Sequence, residues 1–158
     1  MLKIVPVKEI PKANAWLSND LVKLYNYCLE MEAICDKHDG VGLSAVQVGL
    51  PFNFFVVKHD NLYRHMVNCS YEPLDGDKFP SLEGCLSLRS FVGSLRRFEV
   101  PRYSRVRIKG KSLLAQDNLC LSEIDIELDG YYAVVYQHEI DHANDILISQ
   151  IGKEVFVV

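Results

Sequence analysis

Gln137-His138-Glu139-Ile140-Asp141-His142, close to the end of the chain, reads H-E-x-x-H. Residues four apart lie one above the other on a helical face, so His138 and His142 can grip one metal ion. Glu139 is rotated by about 100° from His138, which places its carboxylate beside such an ion. A general base for an activated water belongs there. The motif demands particular residues at fixed helical offsets, which favours a metal site over a surface helix with two chance histidines.

Outward from this stretch, Asp129-Gly130 reads as a turn, and Tyr131 opens the helix, which is expected to run to about Ile148. Upstream, strands are expected over residues 91–95, 103–108, 113–115 and 119–127. The apolar, aromatic run over 52–57 reads as a buried strand, paired with 63–69 around a turn at His59-Asp60-Asn61. Residues 71–79 are turn-rich. Ser18 or Asn19 caps a predicted helix whose apolar residues Leu21, Leu24, Tyr25, Cys28, Met31 and Cys35 recur at helical spacing, with Gly40 as its stop. Residues 2–6 form a short strand or extended arm, and residues 154–158 one more strand. The expected architecture is α+β, with antiparallel sheets packed around the central H-E-x-x-H helix and a further helix near the N-terminus. The whole chain, 1–158, is expected to form one domain.

The net charge of −4 gives no overall bias toward nucleic acid. A local basic run, Arg96, Arg97, Arg102, Arg105, Arg107, Lys109 and Lys111, reads as solvated strand faces. No apolar run approaches the roughly 20 residues of a membrane span. Lys3, Lys8, Glu9 and Lys12 interrupt the first apolar residues, unlike a signal peptide, so a cytoplasmic location is expected. Five cysteines without regular spacing argue against a disulfide framework and fit a reducing compartment. Cys28, Cys35, Cys69 and Cys120 read as small core residues.

A catalytic metal site needs a third protein ligand and an open position. The candidates are His38, His59, His65, an acid or a cysteine. His38 at a helix end and His59 in a turn read as exposed, and His65 lies in a strand with no neighbouring ligand type. Cys85 has unusual surroundings in Glu83-Gly84-Cys85-Leu86-Ser87, but the residues alone leave the choice open.

Three stretches taken together narrow it. Gly40-Val41-Gly42-Leu43-Ser44-Ala45-Val46-Gln47, then Glu83-Gly84-Cys85-Leu86-Ser87, then His138-Glu139-Ile140-Asp141-His142 occur in this order. The chain resembles the peptide deformylase family, whose motifs are G-x-G-L-A-A-x-Q, E-G-C-L-S and H-E-x-D-H. Val100-Pro101-Arg102 and the approach at Asp129-Gly130 extend the likeness, which runs from about residue 20 to about residue 148.

The resemblance implies hydrolysis of the N-terminal formyl group from formyl-methionyl nascent peptides, releasing formate. It makes Cys85, His138 and His142 the ligands of one divalent metal. Fe²⁺ is implied as the native ion, with Zn²⁺, Ni²⁺ or Co²⁺ as alternatives. Glu139 becomes the catalytic acid and base, while Gln47 and the backbone N–H of Leu86 become oxyanion donors. Glu83 matches an acid behind the ligands at the edge of the substrate site. Val41, Val134 and Val135 match the lining of the methionine pocket, and Gly42 the residue whose backbone pairs with substrate. A monomer is expected.

There are departures from the family pattern. Ser44 replaces an alanine, Val46 stands where proline is frequent, and Ala143-Asn144-Asp145 replace Leu-x-Gly. Residues 153–158 carry one lysine and one acid instead of a basic helix, so weak ribosome association is expected. Two rival readings remain: a zinc metallopeptidase using the same helix, and a non-catalytic protein with a structural Cys/His site. Gln47 and Glu139 argue against the second, because a structural site needs neither.

Overall fold

The computed structural model describes residues 1–156. Helix α1 (Leu21–Lys37) starts where the Asp20 carboxylate accepts from the backbone N–H of Lys23 at 3.0 Å. The cap is therefore one residue beyond the expected pair, since Ser18 instead accepts from the N–H of Asp20. Leu24, Cys28, Met31 and Cys35 form one buried stripe along it.

The chain then makes a short strand β1 (Gly42–Ser44) and a turn of 3₁₀ helix (Ala45–Val48) closed by Gly49 in the left-handed conformation. Strands β2 (Phe54–His59) and β3 (Leu62–Pro73) follow as a hairpin, then β4 (Lys78–Arg89), β5 (Leu95–Tyr103), β6 (Arg105–Ala115) and β7 (Leu119–Asp129). Helix α2 (Gly130–Ala143) carries the histidines, followed by α3 (Ile148–Ile151) and β8 (Lys153–Val155). One sheet has the order β1-β2-β3-β6-β7 and the other β4-β5-β8; all the pairings within them are antiparallel.

The apolar run in β2 has a specific cause. Phe54 and Val56 face one side and pack with the α1 stripe, whereas Phe55 and Val57 face the other. There they meet Ala133, Val135, Tyr136 and Ile140 of α2. A strand covered on both faces loses its polar alternation, and this one marks the middle of the molecule. Helix α2 also touches β5, where the Gln137 amide bonds both the N–H and the C=O of Tyr103. The helix is thereby gripped between the two sheets.

Several expected boundaries move. Residues 91–94 form a turn at the β4–β5 hairpin, with Phe91 and Val92 exposed, because Gly93 at φ 86° reverses the chain, and only Leu95 of the expected strand is in β5. The turn-rich stretch 71–79 lies mostly within the ends of β3 and β4. The breaks expected around Gly110 do not occur: β6 runs through, with Gly110 against a bulge at Asn68 and Cys69. A side chain there would lie 2.6 Å from Cys69 Sγ. Residues 2–6 form no strand, and α2 ends at Ala143 instead of near Ile148. Cys120 is exposed, unlike the other four cysteines, because it points away from the core on β7. Val157 and Val158, expected as strand, lie outside the described residues. No helix among those described is long and apolar enough to cross a membrane.

Candidate metal centre and active site

Three side chains from two elements converge on one point. Cys85 comes from β4, and His138 and His142 from successive turns of α2. Their ligand atoms all lie within 4.8 Å of one another, with Cys85 Sγ 3.6 Å from His142 Nε2. His38, His59 and His65 are elsewhere: His38 meets Arg89, His59 stacks on Tyr132, and His65 pairs with Glu32. His59 is thus partly covered and not the exposed residue its turn position suggested. Cys85 is the third member of the cluster.

The donors suit a divalent transition ion. A thiol and two imidazoles form a set that iron, zinc, cobalt and nickel accept. His138 Nδ1 is engaged by Glu83 Oε1 at 2.9 Å, which leaves Nε2 for the centre. Burial, then the charges of His138 and Arg102, hold the His142 pKa well below the ordinary value, so its imidazole is neutral and has a lone pair to give. Burial alone would also lower His138, but its bonds to Cys85 and Glu83 outweigh this and lift it to about 10. An ion bound at its Nε2 would therefore have to displace a proton from this imidazole.

Around the centre stand the other expected residues. Glu139 is 4% exposed, and burial pushes its pKa up to about 7 against the opposing charges of His138 and Arg102. Its Oε2 has no hydrogen-bond partner among the described residues. Gly42 lies directly opposite: a Cβ there would sit 2.8 Å from Glu139 Oε1. The Gln47 side chain is held by its Oε1, which accepts from the N–H of Ser44 at 2.9 Å. Its Nε2 then donates to Ser87 Oγ at 2.9 Å and approaches Cys85 Sγ at 3.4 Å.

The pairing of β4 with β5 is broken between Gly84 and Arg89, so Cys85, Leu86, Ser87 and Leu88 have no register partner on β5. Backbone at Leu86 is thereby released from the ladder beside the centre. A cavity of about 530 Å³ opens here, lined by all the residues expected for substrate contact: Val41, Gly42, Glu83, Val134 and Val135. Phe79, Leu82 and Tyr131 also line it, although nothing in the motifs marks them. Strand β1 is at the sheet edge, with Gly42 paired to Val57 on one side only.

The basic run needs correction at one residue. Arg102 is 2% exposed and is not part of a solvated face. Its Nε and Nη2 donate to the two oxygens of Glu83, both at 2.8 Å, and its Nη1 donates to Asp141 at 2.6 Å. Arg105, Arg107, Lys109 and Lys111 do lie on an open face, each beside an acid such as Asp125 or Glu123. Arginine types in a row look alike in sequence; the alternation of β5 sends Arg102 inward, toward two carboxylates that charge counting cannot locate. Burial would raise the Glu83 pKa, but Arg102 and His138 hold it down to about 2.

Residues 5–154 match the family model described as polypeptide deformylase. The chain belongs to that family. The peptide deformylase of Thermotoga maritima is 34% identical over 111 residues, which cover 70% of this chain and 61% of that relative. The peptide deformylase of Carboxydothermus hydrogenoformans is 31% identical over 141 residues, covering 89% of this chain and 83% of that one. The crystal structure of peptide deformylase from Thermotoga maritima superposes with a TM-score of 0.81 and 29% identity, covering 96% of this chain and 97% of that one. The chain spans about three fifths of the length of the Thermotoga relatives it matches. Family membership accounts for the order of the three motif stretches along this chain.

Proposed function

We propose that this chain is a metal-dependent peptide deformylase, which hydrolyses the N-terminal formyl group of formyl-methionyl peptides to formate and a free amine. The convergence of Cys85, His138 and His142, the first two lining an open cavity, carries this reading. These three residues would hold one divalent ion. Fe²⁺ is the ion we assign, on the family resemblance and the thiolate–imidazole set. When bound, it would lower the pKa of a water toward about 7 and polarise the formyl oxygen.

The chain's own groups supply the rest. Glu139, with a pKa near 7 and a free oxygen, takes a proton from the attacking water and returns it to the departing nitrogen. Negative charge developing on the formyl oxygen meets the Gln47 amide and the Leu86 N–H. One such donor can contribute about 3 kcal/mol to transition-state stabilisation. Gln47 is pre-oriented for this by Ser44 and Ser87, so little reorganisation accompanies the reaction. The open edge of β1 and the released backbone after Cys85 can bind the peptide as an added strand. Val41, Val134 and Val135 present apolar surface to the first side chain, and a flexible thioether fills such space well.

The test is formate release from formyl-Met-Ala-Ser by anaerobically purified, metal-assayed protein, beside acetyl-Met-Ala-Ser. Release from the formyl peptide alone is expected. Cleavage of internal peptide bonds without formate release would instead establish the metallopeptidase.

A further inference from the structure

Behind the centre runs a chain of hydrogen bonds whose outer end no motif marks. His138 Nδ1 meets Glu83, both oxygens of Glu83 accept from Arg102, and Arg102 also donates to Asp141 Oδ2. The other oxygen of Asp141, Oδ1, accepts from the Tyr71 hydroxyl at 2.8 Å. Tyr71 is on β3 in the large sheet, Glu83 and Arg102 are on β4 and β5 in the small one, and Asp141 and His138 are on α2 between them.

Two buried carboxylates share one guanidinium in this arrangement. Glu83 and Asp141 are 7% and 4% exposed, and Arg102 2%. Both carboxyl groups take hydrogen bonds from the same guanidinium, and the division of Arg102 between them decides how firmly each is held. Arg102 gives two bonds to Glu83 and one to Asp141, although the contact to Asp141 is the shorter. Among the described residues the Tyr71 hydroxyl is the one side-chain donor at Asp141 Oδ1. It satisfies the oxygen that Arg102 does not reach, so Arg102 need not turn away from Glu83. Burial and the neighbouring Asp141 keep this phenol protonated, so it acts as a donor throughout the ordinary pH range.

We propose that Tyr71 is a positioning residue for the metal centre, acting through Asp141, Arg102 and Glu83 on the His138 imidazole. This rests on the proposed reading of Cys85, His138 and His142 as ligands. Without the hydroxyl, a buried carboxyl oxygen loses its partner, and the group already bonded to its other oxygen is Arg102. The guanidinium then turns toward Asp141 and releases one Glu83 oxygen, so the acceptor that fixes His138 is free to rotate. Changes to groups that orient ligands typically lower metal affinity by about 10–100-fold. Tyr71 is four contacts removed from the imidazole, so the expected effect is about tenfold, the low end of that range.

Tyr71→Phe keeps the ring that packs beside α2 and removes only the oxygen. A matched control exists on the same strand: the Tyr63 hydroxyl donates to Asp36 at 2.7 Å, away from the centre. Wild type, Tyr71→Phe and Tyr63→Phe, loaded with Co²⁺ anaerobically, are compared for the rate of metal loss to excess chelator and for the visible spectrum of the bound ion. Unfolding of the metal-free forms is recorded in parallel. We expect about tenfold faster loss and a displaced spectrum for Tyr71→Phe, with both unchanged for Tyr63→Phe. Wild-type loss and spectrum in Tyr71→Phe, or the same acceleration in both variants, would overturn the inference while leaving the ligand assignment standing. A wild-type protein that takes up no Co²⁺ would overturn both.

Discussion

Gly42→Ala adds a single methyl group and places it against the proposed proton carrier. Its Cβ would lie 2.8 Å from Glu139 Oε1, 3.0 Å from Cδ and 3.1 Å from Cγ. Ordinary contact begins near 3.4 Å, so Glu139 must retreat by roughly half an ångström or the edge strand must move by as much. The carboxylate is the mobile partner, because it borders the cavity while Gly42 is paired to Val57. Among the described residues, Glu139 has no hydrogen-bond partner at Oε2 that would resist. Misplacing a reacting group by about 1 Å can cost about 100-fold in rate, and half that displacement implies a loss of about tenfold in kcat. The methyl leaves Cys85, His138 and His142 untouched, so metal content should stay at the wild-type level. The assay is formate release at saturating formyl-Met-Ala-Ser, with metal measured on the same sample. A methyl that only obstructed the peptide would raise KM and spare kcat. Wild-type kcat in Gly42→Ala would refute the reasoning, since Glu139 would then work equally well from a displaced position.

Other perturbations separate the remaining roles. Glu139→Ala and Gln47→Ala should each retain the metal, because neither is a ligand, and lose turnover in the chemical step; removing one oxyanion donor should cost about 100–1000-fold. Near wild-type saturated rates in Glu139→Ala would sink its proton-transfer role. Arg102→Met leaves Glu83 and Asp141 buried without their cation, and removing one partner of such a pair costs about 3–5 kcal/mol. Denaturant unfolding of the metal-free variant measures this, and a loss under about 1 kcal/mol would contradict the buried network. Acid should have its own signature. The folded-state pKa of Glu83, about 2, is below its ordinary value of 4.5, so its contribution is full above pH 4.5 and is lost as pH falls toward 2. The difference corresponds to about 3 kcal/mol. Unfolding free energy measured from pH 5 to 2 should fall more steeply for wild type than for Arg102→Met, and parallel curves would be incompatible with this ion pair.

The sequence was readable where a residue's role depends on local spacing. His138, Glu139 and His142 are fixed relative to one another by one helix, and α1 shows its buried stripe at a regular interval. The β2 run was readable because both its faces are covered. Cys85 was not distinguishable from the other cysteines by spacing alone; it came from the order of three stretches and took its place once β4 was laid beside α2. Arg102 and Tyr71 stayed hidden because their partners are 19 to 70 residues away and meet them only through the sheets. Strand ends moved for a related reason. Gly110 looks like a break in sequence, yet in the sheet it is the residue that fits against the bulge on β3.

The most direct test of the account is metal-edge X-ray absorption on protein loaded anaerobically with one equivalent of Zn²⁺ or Fe²⁺. The predicted first shell, in the Zn²⁺ form, is one sulfur at about 2.3 Å and two imidazole nitrogens at about 2.0–2.1 Å, with a further light scatterer that exchanges with small ligands. Cys85→Ser should remove the sulfur and leave the nitrogens. A shell without sulfur, or one closed by four protein ligands, would contradict a catalytic centre built from Cys85, His138 and His142.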